Sequence, residues 1–425
     1  MEALTGARGL FAIYVVTYHF FGKILNERCD FRDGAFPTSF LARRLCAHGF
    51  VAVTFFFQLS GFVNTIVNET RIVDYTNHKW QHRFWHRRFA RLGPVYVLML
   101  LCSLPPLLVA WQSIDVPPFE TELVRVVACI ATTMGVQSWD FFVPLWRLWN
   151  YPAWAVSCEL AFYLAFPFLV QGVKSVVLTT AGFFDQRQIS WHVTVLLLGL
   201  CTLGQVITWY SLQFALESST GLSPPVAGDI AYTFPPVRVF EFIQGILLGV
   251  AATQPANLAL LNRKGLQDIS ENGHWCGRRV WQRSSLDDLH EHRIAMLSDA
   301  ASMANFRVGS NVYAFPTACF IYSAAHDAGF FCRLLRANLL HRIGEWSYCI
   351  YLSQGPVMLG LLWALNPGRV SEIYNMVSHN LVARYGHMPL SCSSLFIAVL
   401  VQHLRSSELQ RVANGARCLI HPPPT

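Results

Sequence analysis

Mostly apolar stretches, several close to 20 residues long, recur along this chain. They fall at roughly 9–22, 48–67, 92–111, 122–137, 152–171, 191–210, 237–253, 309–326, 343–365 and 389–404. About 20 such residues let an α-helix cross the hydrocarbon core of a bilayer, with its backbone polar groups satisfied internally. The expected fold is therefore all-α, a polytopic transmembrane helix bundle of about ten spans. Charged residues make up only 13% of the chain, against about 25% in a soluble domain. That excludes a disordered chain, a solubilising acidic protein and a nucleic-acid module. Residues 1–425 read as a single integral-membrane domain. Within it, 254–308 is polar and of mixed charge, and is expected to be an extramembrane loop.

Orientation follows from Lys and Arg in the short connections, which favour the cytoplasmic side. With a cytoplasmic N-terminus that side receives Arg8, the six basic residues of 68–91, Arg147, those of 327–342 and those of the tail. The other side receives fewer, from 23–47, 172–190 and 366–388. Both termini are thus expected in the cytoplasm, in a plasma membrane or endomembrane, and the first run, which contains His19, is expected to be retained. The cysteines are scattered and form no C-x-x-C pair. Neither a structural zinc nor any other metal is expected.

Ionisable side chains inside a membrane cost about 2.5–3.5 kcal/mol each on insertion scales, so those present bear on function. Arg8 and His19 are eleven residues apart in GARGLFAIYVVTYHFFGK, about three helical turns, and share a face. His19 then lies about 16 Å along the helix from Arg8. A histidine there can accept a hydroxyl proton near neutral pH; bonding to a neighbouring helix is the equal alternative. In HKWQHRFWHRRFARLGPVY, Arg88 and Arg91 stand at i and i+3, two planar forks suited to phosphate oxygens. An ordinary positive-inside anchor competes with that reading. His78, His82 and His86 have helical spacing too, but no carboxylate or thiol joins them. Glu159 lies in the apolar WNYPAWAVSCELAFYLAFPFL and must pair, neutralise or face water. Arg238 and Glu241, at i and i+3, are expected to neutralise each other as structure. The tryptophans 139, 146, 149 and 154 read as an interfacial belt.

In order, these segments resemble the acyltransferase 3 family of multi-pass membrane O-acyltransferases. ARGLFAIYVVTYHF resembles its first helix, with Arg8 and His19 in the matching positions. HGFVAVTFFFQLSGF is similar to its stretch ending in Leu-Ser-Gly-Phe, and RRFARLGPVY to its Arg-x-x-Arg-Leu-x-Pro-x-Tyr element. WAVSCELAFYLAFP resembles the element that carries Glu159, with Ala155 where serine is usual. RVFEFIQGILLG and IGEWSYCIYLSQGPV are similar to two later helices. Gln354 stands where the family often has histidine, only HLRSSELQ resembles the closing pattern, and 254–308 occupies a region where relatives often carry more membrane helix.

The resemblance implies transfer of an acyl group, acetyl foremost, from acyl-CoA to a hydroxyl of a carbohydrate, lipid or small metabolite. Acyl-CoA would be a co-substrate, with no tightly bound cofactor. The partners are membrane lipid, acyl-CoA and the hydroxyl-bearing acceptor, and no nucleic acid. His19 would be the general base and Glu159 would orient or charge-balance it or the arginines. Arg88, Arg91 and Arg8 would hold the donor. Two other readings stay open: a proton-coupled transporter using His19 and Glu159, against which stands the lack of an inverted repeat, and a non-catalytic relative.

Overall fold

The computed structural model describes residues 2–19, 49–69, 74–113, 121–140, 145–183, 191–222, 224–253, 313–326 and 330–365. Among them every regular element is helical. The helices are α1 (Glu2–Thr17), α2 (Phe50–Glu69), α3 (His78–Ala110), α4 (Glu122–Met134), α5 (Trp154–Phe183) and α6 (Trp191–Thr220). They continue with α7 (Pro224–Thr233), α8 (Pro235–Ala252), α9 (Ala314–Ala325), α10 (Phe330–Leu335) and α11 (Asn338–Leu365). Five of the ten expected spans, those at 48–67, 92–111, 152–171, 191–210 and 237–253, fall on helices long and apolar enough to cross a membrane. The 254–308 stretch and the 389–404 run lie outside the described residues.

Local signals set the ends. Asn77 caps α3, its side chain accepting from the backbone N–H groups of Lys79 (3.0 Å) and Trp80 (3.3 Å), which satisfies donors that the first turn leaves open. Thr121 does the same for α4, which ends at Gly135 with φ 72°, a left-handed conformation glycine adopts without a Cβ penalty. Pro235 and Pro236 begin α8, where their missing N–H groups cost nothing.

Two parallel helix pairs form the centre, α1 with α11 and α2 with α8. In a bilayer the driving force is close packing rather than removal of apolar surface from water, and small residues let backbones approach. A Cβ on Gly344 would run into the Thr5 carbonyl, and one on Gly245 into the Gln58 carbonyl. Phe55 stacks on Phe11 of α1, and Phe57 and Phe242 pack on Phe162 of α5; Phe55, Phe57, Phe162 and Phe242, with Phe62 and Phe166, are fully buried. Leu101, Leu108, Phe168, Leu178, Leu203, Ile207 and Phe214 point outward, as a lipid-facing surface requires. Arg238 and Glu241 do pair, at 3.1 Å and fully buried. Glu241 also accepts from Thr54 (3.0 Å) and Gln205 (3.1 Å), and Arg238 lies over the Tyr232 ring at 4.6 Å.

The structure corrects the fourth span. Helix α4 has 13 residues and runs back along α3, from Arg125 over Trp111 (5.5 Å) to the Thr132 carbonyl, which accepts from Tyr96 (2.5 Å). The chain then returns, so that Trp149 donates to the Leu100 carbonyl (3.2 Å) and Leu148 packs with Leu107 and Ala110. It enters and leaves at one end. Only α5 crosses, bringing Lys174 to Glu69 at 3.0 Å. Counting spans had put those two residues on opposite sides; they share the end that carries the basic start of α3. Arg147, counted with that end, instead pairs with Asp229 at the other. Moving Arg147 and Lys174 exchanges one basic residue for another and leaves the charge asymmetry as it was. The tryptophan belt also divides, since Trp154 is buried and packs on Phe57 (6.1 Å).

Candidate functional site

Five helices converge on a cavity of about 120 Å³ whose wall includes Arg8, Arg88, Arg91, Glu159, Ser60, Asn64, Tyr163 and Ser347. Helix α1 contributes Arg8, whose Nη2 donates to the Ser347 hydroxyl of α11 at 3.0 Å. Helix α3 contributes both arginines of the i, i+3 pair. Arg88 is held over the rings of Phe84 (5.1 Å) and Tyr163 (5.6 Å), a cation–π arrangement that fixes the guanidinium without consuming its donors. Arg91 is more exposed and stands at the mouth. Helix α5 places Glu159 among the charges of Arg91, Arg8 and Arg88, with Tyr163 one turn on and its hydroxyl 3.1 Å from that of Ser60 on α2.

Four of the five expected site residues are thus brought together. Three guanidinium groups face one carboxylate, and among the described residues no nitrogen lies within 4.0 Å of Glu159 as an ion pair. Charges held this way in low-dielectric surroundings call for a compensating anion.

The fifth, His19, lies beyond the far wall. Its Nδ1 is 2.9 Å from Gln354 Oε1, and its ring packs edge-on against Tyr151 at 5.2 Å. Both partners connect to the cavity. Tyr351 lines it one turn before Gln354 on α11, and Ala155 lines it one turn after Tyr151, a turn being about 5 Å along a helix. When Oε1 accepts from this ring, Nδ1 carries the proton and Nε2 is the basic nitrogen of that tautomer. Position 354, where the family often has histidine, holds a carboxamide in hydrogen-bond contact with the ring. The helix widens into a π turn at Tyr18 and His19, a feature frequent at functional sites.

Next to Tyr151, Asn150 has φ 45°, a left-handed conformation that asparagine adopts more readily than most residues other than glycine. It is buried and packs against Gly355, beside Gln354. The connection leading to it holds Asp140, whose carboxyl accepts from the Leu145 N–H at 2.7 Å. Burial raises that carboxyl to about 7, against the opposing pull of the Leu145 bond and Arg147.

Reasoning from sequence missed Tyr163, Ser60, Ser347 and Asn150. The first three lie within segments that carry the family resemblance, whereas Asn150 gave no signal inside a run of tryptophans. His78, the start of the histidine series on α3, faces Gln81 at 3.2 Å.

The chain matches the Acyltransferase domain of the acyltransferase 3 family over residues 1–264. It is 26% identical over 354 residues to acyltransferase MdmB of Streptomyces mycarofaciens, covering 83% of this chain and 77% of that protein. No solved structure matches it. The chain belongs to the acyltransferase 3 family, and its activity is that of an acyl-group transferase.

Proposed function

We propose that this family member moves an acyl group, acetyl foremost, from acyl-CoA to a hydroxyl of a carbohydrate, lipid or small-metabolite acceptor. The observation that carries the reading is the charge of one cavity, three arginines against a single glutamate. CoA supplies the missing negative charge through its phosphates, and planar guanidinium forks match phosphate oxygens. Arg91 receives the donor at the mouth, Arg88 and Arg8 hold it farther in, and Glu159 keeps the empty cavity from accumulating like charge. With the basic end cytoplasmic, this entrance faces the compartment where acyl-CoA is made.

His19 then acts at the far end of the donor. Its Nε2 takes the proton of the acceptor hydroxyl, whose oxygen attacks the thioester carbonyl. The tetrahedral intermediate collapses, the C–S bond breaks, and the CoA thiolate leaves with the proton from the imidazolium. The buried Gln354 keeps the ring in the needed tautomer. The acceptor approaches from the end of the bundle opposite the arginines. No contact joins His19 to Glu159 among the described residues, so a direct proton relay between them has no support.

The test is acetyl-CoA turnover by the purified chain in detergent. His19→Ala is expected to bind CoA and to lose turnover; wild-type turnover in that variant overturns the assignment of the base.

A further inference from the structure

Two buried carboxamides near His19 have polar atoms without a hydrogen-bond partner among the described residues. Asn150 has neither Oδ1 nor Nδ2 paired, and Gln354 has Nε2 unpaired. Asn150 is 3% exposed and Gln354 is 0% exposed. Nearly all buried polar groups in native proteins find a partner, so two orphaned amides in one place need an explanation. Helix ends and packing do not provide one. The Asn150 carbonyl begins the short helical turn at 151–153 by accepting from the Ala153 N–H at 2.8 Å, which uses its backbone and leaves its side chain idle.

The three residues are linked through Tyr151 and Gly355. Gln354 faces the His19 ring, Tyr151 packs on that ring, and Asn150 precedes Tyr151 in the chain while packing on Gly355, the residue after Gln354. Any side chain at 355 would strike the Asn150 carboxamide.

We propose that the carboxamides of Asn150 and Gln354 form an oxyanion site for the transfer reaction. This rests on the acyl-CoA reading above. When the acceptor oxygen adds to the thioester carbonyl, the C=O π electrons move onto the carbonyl oxygen. The Asn150 and Gln354 N–H groups donate to that oxyanion while His19 Nε2 holds the acceptor's proton. When the C–S bond breaks, the carbonyl re-forms, and the thiolate takes the proton. Asn150 is thereby a catalytic residue, and Gln354 both positions the imidazole and donates.

The experiment uses the full chain in detergent, with release of CoA thiol from acetyl-CoA as the rate and titration of CoA as the binding readout. Asn150→Gly keeps the tolerance for positive φ and deletes the carboxamide; Asn150→Ala deletes the group as well. Both are expected to lower kcat on the order of 100-fold, the scale of a lost oxyanion donor. KM for acetyl-CoA and CoA affinity should stay within about threefold. If Asn150→Gly keeps kcat within threefold of the wild type, the oxyanion assignment is wrong, whatever the alanine variant does. If the Gly variant loses CoA binding and kcat in parallel, the residue is structural and the proposal also fails. A wild type that binds no CoA and releases no thiol removes the acyl-CoA reading itself, which separates the two failures.

Discussion

Gln354 Oε1 lies 2.9 Å from His19 Nδ1, joining the first and last described helices. With Oε1 as the acceptor, Nε2 is the basic imidazole nitrogen on the proposed mechanism. Gln354→Leu keeps comparable bulk but removes the acceptor. It should lower kcat by roughly 10- to 100-fold, within the range a positioned acid–base group contributes, and leave KM for acetyl-CoA nearly unchanged. Steady-state kinetics on the purified variant check this; an unchanged kcat would show that the contact does not serve the reaction.

Glu159 is the one carboxylate among three arginines of the cavity. Glu159→Gln removes it and leaves like charges facing each other, so the unliganded variant should unfold at a lower temperature than the wild type. Added CoA should restore more stability to the variant than to the wild type, because it supplies the only counter-charge. Thermal unfolding with and without CoA reads both effects.

The Arg238–Glu241 pair, at 3.1 Å and fully buried, predicts a different pattern. Removing either partner alone should cost about 3–5 kcal/mol, because the other charge is left uncompensated. Replacing both, with Met at 238 and Gln at 241, should cost less than the sum. Unfolding in detergent of the two single variants and the double variant measures the coupling.

Asp140 predicts a pH dependence. Its carboxyl is raised by burial from 3.8 to about 7, so the folded state binds the proton more tightly than the unfolded chain. Stability from this group is therefore present below about pH 4 and is lost as pH rises from there to about 7, at up to about 1.4 kcal/mol per pH unit. Asp140→Asn can still accept from the Leu145 N–H and carries no charge. It should flatten that slope and raise the unfolding temperature at pH 8 relative to the wild type.

How much of this was legible depended on distance along the chain. Arg88 with Arg91 and Arg238 with Glu241 are i, i+3 pairs, and local spacing predicted both arrangements. Glu159 was recognisable because a carboxylate in an apolar run must find compensation. What spacing could not convey was convergence: the cavity takes walls from α1, α2, α3, α5 and α11, and no local pattern places Ser347 beside Arg8. An ideal helix put Arg8 and His19 on one face, and both do meet α11, at Ser347 and Gln354; of the two, only Arg8 lines the cavity. Hydropathy misread 122–137 because an apolar helix that dips in and returns has the composition of one that crosses. Asn150 was invisible because its importance lies in a backbone angle and an unpaired amide, neither of which has a sequence signature.

The central claim, that the arginine cavity recognises the phosphates of an acyl donor, is tested most directly by comparing CoA with phosphate-free pantetheine. Each is titrated into the wild type and into a variant with Arg8, Arg88 and Arg91 replaced by glutamine. Hydrogen bonds to charged groups are worth about 1.5–3 kcal/mol each. The wild type should therefore prefer CoA over pantetheine by at least about 100-fold, and the variant should lose most of that preference while binding pantetheine as before. Equal affinity of the wild type for the two ligands, or an undiminished preference in the variant, would contradict the account.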